Sequence, residues 1–221
     1  MDTSEVQDRN LDCILEKFQK ECDDSLNIYF QSLRLYNEHS DLFSETMRNM
    51  MVEYVVMQLF SKWEKFLEEV FIEYMLGGCS LNGDIVNKYV NPIDRDHAYR
   101  MIQNVNLYPD WSDIDKVLKN ANDFFETCGP FEILKTLKSE ITSLKKIRNA
   151  IAHSSSRAKG EFEKLVQGKI GYLPDKIIPA TFLIDYKVGR RRDSDTYCEH
   201  YIRYLKDTAE VLVEYHREEV Q

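Results

Sequence analysis

Glycine and proline are scarce in this chain of 221 residues, 8 and 5 respectively. That disfavours both disorder and an all-β sandwich, which use these residues for linkers and tight turns. Cysteine is sparse and poorly placed for pairing. Cys13, Cys22, Cys79, Cys128 and Cys198 are odd in number and contain no close pair, so neither a disulfide framework nor a zinc knuckle is expected, and a reducing cytoplasm is the expected location. No uninterrupted apolar run approaches the roughly 18 residues of a membrane-spanning helix, and the N-terminus is polar and acidic, so a soluble chain without membrane contact is expected. A Gly-rich phosphate loop is also absent, as is any His/Asp/Glu cluster spaced as a metal site. No metal or cofactor is therefore expected.

An excess of positive charge is missing as well. The formal net charge is −9, which argues against general attraction to a polyanion. The average hides an asymmetry. Between Lys135 and Lys169 nine basic residues meet three acids, a local +6 that leaves −15 over the rest.

What the chain does contain is apolar bulk: hydrophobic residues make up 43%, including 13 Tyr and 11 Phe. With few breakers, that composition predicts an all-α domain with one core spanning 1–221. Apolar residues recur every three or four positions through Leu11, Ile14, Leu15, Phe18, Leu26, Phe30 and Leu33, which predicts an amphipathic helix, with a possible break at Asp23-Asp24, inside an N-terminal extension over residues 1–40. A second, long helix is expected to start after Ser40 or Ser44 and to end at Gly77-Gly78.

Residues 79–130 carry Asn-Gly, Asn-Pro, Tyr-Pro and Gly-Pro breaks and read as an insertion holding short helices near 94–106 and 113–126. A third long helix begins after Pro130, its apolar line running through Leu134, Leu137, Ile141, Leu144 and Ile151; the segment 131–156 is the candidate catalytic helix. A short helix near 158–167, an extended stretch or short β-ribbon over 170–188, and a final helix from about Asp195 to Glu219 complete the reading. The expected architecture is a bundle of long antiparallel helices.

The third helix carries Lys145-Lys146-Ile147-Arg148-Asn149-Ala150-Ile151-Ala152-His153. The spacing from Arg to His is weak evidence by itself, since composition alone predicts roughly 0.3 occurrences in a chain of this make-up. Arg34-Leu35-Tyr36-Asn37-Glu38-His39 repeats it, though without a polar residue after the Arg and in acidic surroundings. Arg148 falls inside the apolar stripe, so its permanent charge demands a partner. Glu64, Glu68 and Glu69 are the candidate carboxylates, and a bound phosphate would serve equally. On an ideal helix His153 lies about 140° around from Arg148, on the side of Asn149. Two resolutions are open: the chain turns at Ser154-Ser155-Ser156, or two copies of the helix meet and share one cleft.

Histidine, with an ordinary pKa near 6.5, suits proton transfer to and from the 2′-hydroxyl and 5′-oxygen of RNA, and arginine can hold the phosphorane bidentately. A lone His at a helix end or an Arg anchoring an ion pair would account for the same residues structurally.

Set at the end of a long amphipathic helix, Arg148-Asn149 followed by His153 resembles the signature of the HEPN superfamily. Trp63-Glu64-Lys65-Phe66-Leu67-Glu68 is similar to the Trp-Glu helix of HEPN proteins of the RiboL-PSP type, as is the pattern from Ile177 to Asp185 followed by a Tyr-rich helix. The resemblance covers about residues 45–215. It implies a helical bundle that dimerises with its motifs facing, cuts RNA without metal and leaves a 2′,3′-cyclic phosphate. Arg148 and His153 would be catalytic and Asn149 would orient them. Lys145, Lys146, Arg157 and Lys159 are the expected contacts to RNA backbone, with Arg190-Arg191-Arg192 a further basic run. Many members are toxins or antiviral effectors, so an antitoxin or sensor is an expected partner. Where members controlled by nucleotidyl modification carry a Tyr two residues after the His, this chain has Ser155. The competing expectations are a non-catalytic adaptor or sensor binding a partner protein through acidic N-terminal helices, and nucleotide binding at the same cleft.

Overall fold

The computed structural model describes residues 10–105, 109–189, 191 and 193–216. It is an all-α helical bundle with helices α1 (Leu11–Glu38), α2 (Glu45–Leu76), α3 (Arg95–Val105), α4 (Ile114–Phe124), α5 (Leu134–Ala152), α6 (Ser156–Ile170), α7 (Pro179–Asp185) and α8 (Tyr197–Val213). None of these is long and apolar enough to cross a membrane. The chain divides into two compact units whose boundaries fall within α1, α2, α5 and α8. One unit comprises the described residues of Met1–Lys20, Lys62–Ser139 and Lys206–Gln221; the other comprises Glu21–Ser61 and Glu140–Leu205.

Local chemistry sets most helix ends. Asn10 Oδ1 accepts from Cys13 N–H to start α1, and Ser44 Oγ accepts from Met47 N–H at 3.3 Å to start α2. At the far end of α2, Gly77 adopts φ +97°, the left-handed conformation in which glycine commonly closes a helix. Thr196 and Glu199 cap α8 reciprocally: Thr196 Oγ1 accepts from Glu199 N–H, and Glu199 Oε2 accepts from Thr196 N–H. The break considered at Asp23-Asp24 does not occur, because α1 is continuous and both aspartates are exposed.

In the first unit the core is aromatic. Phe71 packs against Trp111, Phe125 and Phe131 at centroid distances of 5.3, 5.0 and 5.0 Å, and Phe18 stacks on Phe66 at 4.8 Å. The insertion is helical, as expected, with α3 and α4 inside it. Asn106, the expected end of α3, lies outside the described residues. Residues 131–133 differ from expectation, because they belong to a 3-10 segment, Glu126–Ile133, ahead of α5. Thr127, Cys128 and Gly129 have positive φ there, and Pro130 has no N–H to give, so α-helix cannot form through this stretch.

The second unit is built from the C-terminal part of α1, the N-terminal part of α2, most of α5, all of α6 and α7, and the start of α8. Phe182 of α7 stacks on Tyr197 of α8 at 4.4 Å and meets Phe162 of α6 edge-on at 6.0 Å. Tyr29 and Thr196 hydrogen-bond through their hydroxyls at 2.9 Å.

Here the expectation for residues 170–188 is corrected. Among the described residues no strand forms; α7 occupies 179–185, and the ribbon shrinks to one isolated antiparallel bridge between Lys187 and Thr196. Pro179 explains the change, since its fixed φ favours the first helical position. Thr181 Oγ1 then accepts from Ile178 N–H at 3.3 Å. The last helix, expected to reach Glu219, ends at Val213 among the described residues; residues 217–219 lie outside them.

Candidate active site

The motif sits where two helices join in the second unit. Helix α5 ends at Ala152, so His153 is the first residue beyond it, although its N–H still bonds Asn149 O at 3.0 Å. The chain then changes course. Ser155 caps α6 by accepting from Ala158 N–H at 3.2 Å, which places Arg157 and Lys159 on a different helix from Arg148. The turn considered at Ser154-Ser155-Ser156 is therefore present, but it follows His153 and leaves Arg148 outside the cleft that His153 lines.

Arg148 and Asn149 are half-buried near the end of α5. Arg148 Nη1 donates to Asn149 Oδ1 at 3.0 Å, so the amide holds one edge of the guanidinium fork. The guanidinium carbon lies 5.1 Å from the centroid of Phe60 on α2, and Phe60 is fully buried. A cation over a buried ring face is attracted by the ring quadrupole. Of the three carboxylates considered for Arg148, Glu68 accepts the Trp111 indole N–H at 3.2 Å and Glu69 faces Lys65 at 3.8 Å.

His153 is exposed and lines an open cleft of about 770 Å³. Ala150 and Ser154 adjoin it. Helix α6 contributes Lys159, Phe162 and Glu163, the connection from α6 to α7 supplies residues 173–178, and Pro179 opens α7 at its edge of the lining. No side chain of the described residues hydrogen-bonds to the His153 imidazole. Arg148 does not line this cleft, nor do Asn149, Lys145, Lys146 and Arg157. Thus the structure brings His153 and Lys159 together and keeps Arg148 on the Phe60 side of the helix end.

The expected backbone-binding residues divide accordingly. Arg157 pairs with Glu161 at 3.1 Å and is largely exposed, while Lys159 faces Glu163 more loosely at 3.8 Å. Lys145 and Lys146 are half-buried on α5. Arg190 and Arg192 lie outside the described residues. The second Arg-to-His spacing behaves differently, as its acidic surroundings suggested: Arg34 Nε is taken by both oxygens of Glu38 at 3.0 Å on the surface of α1.

Sequence reasoning did not single out Asp175 and Lys176, which line the same cleft as His153. Pro174-Asp175 is a recognisable turn signal, but nothing local says which helix end that turn faces. Lys176 adopts φ +53°, uncommon for a residue that is neither Gly nor Asn.

Elsewhere in this unit, Glu140 of α5 accepts from Lys169 Nζ of α6 at 2.5 Å and faces His200 Nε2 of α8 at 3.4 Å. Its negative charge and the burial of Tyr197, Tyr201 and Tyr204 all push those phenols up from their ordinary pKa, burial acting more strongly. These tyrosines stay protonated at physiological pH.

Comparison with known protein families, curated proteins and solved structures finds no match.

Proposed function

We propose that this chain is a HEPN-type endoribonuclease that cleaves RNA by internal attack of a 2′-hydroxyl and works as a homodimer. The observation that carries this reading is His153 itself: an exposed imidazole, without a hydrogen-bond partner among the described residues, on the wall of a cleft that also presents Lys159 and Lys176. The motif preceding it supplies an arginine whose fork is held by Asn149.

In this reading the histidine accepts the 2′-hydroxyl proton as the 2′-oxygen attacks phosphorus. The bond to the 5′-oxygen breaks, that oxygen takes up a proton, and a 2′,3′-cyclic phosphate remains. Arginine stabilises the charge on the phosphorane through paired N–H donors. Because Arg148 is directed toward Phe60 and away from the His153 cleft within one chain, a second copy of α5 is the means by which Arg and His meet at one phosphate. Such an enzyme fits a toxin or antiviral effector held in check by an antitoxin or sensor.

The test is direct. Purified protein is expected to cut single-stranded RNA in EDTA and leave cyclic phosphate ends, and Arg148→Ala or His153→Ala should each abolish this. Cleavage that survives both substitutions, or that requires a metal, would sink the reading. Growth arrest on expression, relieved by the same substitutions, supports the toxin role.

One observation favours a second reading, a non-catalytic adaptor or sensor. Phe30 and Leu35 on α1, Leu42 after it, and Met47, Met50 and Tyr54 on α2 are all exposed, and exposed apolar side chains are the kind of surface that protein partners cover. RNA cleavage and toxicity would then be absent, and charged substitutions at the exposed Leu42 and Met50 would disrupt partner capture.

A further inference from the structure

The cleft beside His153 has more in it than proton transfer needs. Its volume of about 770 Å³ lies within the roughly 300–1,000 Å³ typical of small-molecule sites. Part of its lining is apolar: Phe162 is buried, and Leu173 and Ile178 are 45% and 40% exposed. The polar groups are of both signs. Lys159 and Lys176 are cations, Glu163 and Asp175 are carboxylates, and all four line the same space.

A site for bare phosphate would exclude the carboxylates, because an anion gains nothing from a second anion nearby. A site for a basic peptide would exclude the lysines. Two cations, two carboxylates and an apolar wall together match a nucleotide, which is anionic at the phosphate, flat and apolar on the base face, and able to donate from the base edge. Lys176 and Asp175 make no hydrogen bond or ion pair with any described residue, and Glu163 has only the loose 3.8 Å approach of Lys159. Their polar atoms are open to a ligand.

We propose that this cleft is a nucleotide subsite that seats the residue next to the bond being cut and prefers bases with an exocyclic amino group over uracil. Lys159 and Lys176 hold its phosphate, the face of the base lies on Leu173 and Ile178, and Glu163 and Asp175 accept from its edge. A carboxylate only accepts hydrogen bonds. The amino groups of cytosine, adenine and guanine satisfy it, whereas the one edge donor of uracil is flanked by two carbonyls that an anion repels. The proposal deepens the ribonuclease reading, yet binding to the subsite does not depend on cleavage.

The experiment is a titration of the full chain with AMP, CMP, GMP and UMP in EDTA, read by backbone chemical shifts, beside a cleavage assay on the same preparation. CMP, AMP and GMP should shift the resonances of Ala150, Ser154 and Lys176 and bind about fivefold or more tighter than UMP, the scale of one modest hydrogen bond. Lys176→Gln should weaken all four nucleotides by about tenfold, as expected for loss of one charged contact. Asp175→Asn combined with Glu163→Gln should bring CMP and UMP within about twofold of each other. Absence of saturable binding, shifts confined to other regions, or equal affinities untouched by these variants would overturn the subsite. RNA cleavage without mononucleotide binding would remove the subsite and leave the ribonuclease reading standing; binding without cleavage would do the reverse.

Discussion

The guanidinium of Arg148 lies over the ring of Phe60, 5.1 Å from its centroid, while the neighbouring Asn149 amide accepts one of its N–H groups at 3.0 Å. A charged group is thus positioned from two sides, by a fully buried ring of α2 and by the next residue of its own helix.

Arg148→Lys should therefore behave as a loss and not as a conservative change. An ammonium keeps the charge but cannot offer two parallel donors to a phosphorane. RNA cleavage is expected to fall by about 100-fold or more, the scale seen when one preorganised donor to a developing anion is removed, with the circular dichroism spectrum unchanged. Retention of cleavage within a few-fold would mean that Arg148 serves packing alone.

Glu140 ties three helices of its unit through Lys169 and His200. Its side chain is about a quarter exposed, 23%, so solvent screens the pair only partly. Glu140→Ala should lower stability by about 1–3 kcal/mol, since it leaves the Lys169 ammonium without its acceptor and the His200 ring without its neighbour. Urea unfolding of the wild type and variant measures the difference; a value near zero would show that water replaces the carboxylate without loss.

Glu53 offers a pH dependence whose sign follows from its surroundings. Burial raises its carboxyl above the ordinary 4.5, and the Ala180 N–H pulls it back only in part. A raised carboxyl binds its proton more tightly when folded than when unfolded, so stability declines as pH rises through the interval from 4.5 to the raised folded value. Glu53→Gln keeps an acceptor for Ala180 and removes the titration. The variant should match the wild type near about pH 4 and gain on it toward about pH 7. Stability curves at several pH values check this; a gap that closes with rising pH would contradict it.

Two glycines should respond oppositely to alanine. Gly129 has φ +51°, and a Cβ there would meet Val86 Cγ1 at 2.9 Å; Gly129→Ala should destabilise by about 1–3 kcal/mol through strain and overpacking. Gly160 lies within α6 and a Cβ there meets nothing within 4 Å. Gly160→Ala should stabilise by about 0.5–1 kcal/mol through helix propensity. Thermal unfolding of both variants reads the signs directly.

Much of the helical plan was legible in the sequence, because it rests on neighbours in the chain. The three-four spacing of Val52, Val56, Leu59 and Trp63 announces α2, Ser44 starts it and Gly77 stops it, and each of these effects acts across one or two turns. The spacing of Arg148, Asn149 and His153 lies within the same local range, and so does the pair between Arg34 and Glu38. The same local signals misled at Ile170–Val188, where a stretch rich in Ile, Pro and Tyr suggested extension while Pro179 and the packing of Phe182 against Phe162 and Tyr197 favour a short helix. Tertiary structure alone decided that Phe60, 88 positions before Arg148, presents a ring to its guanidinium, and that Asp175 and Lys176 line the same cleft as His153. Such pairings depend on which faces of which helices bury each other. That is settled by the packing of the whole unit, which no window of sequence contains.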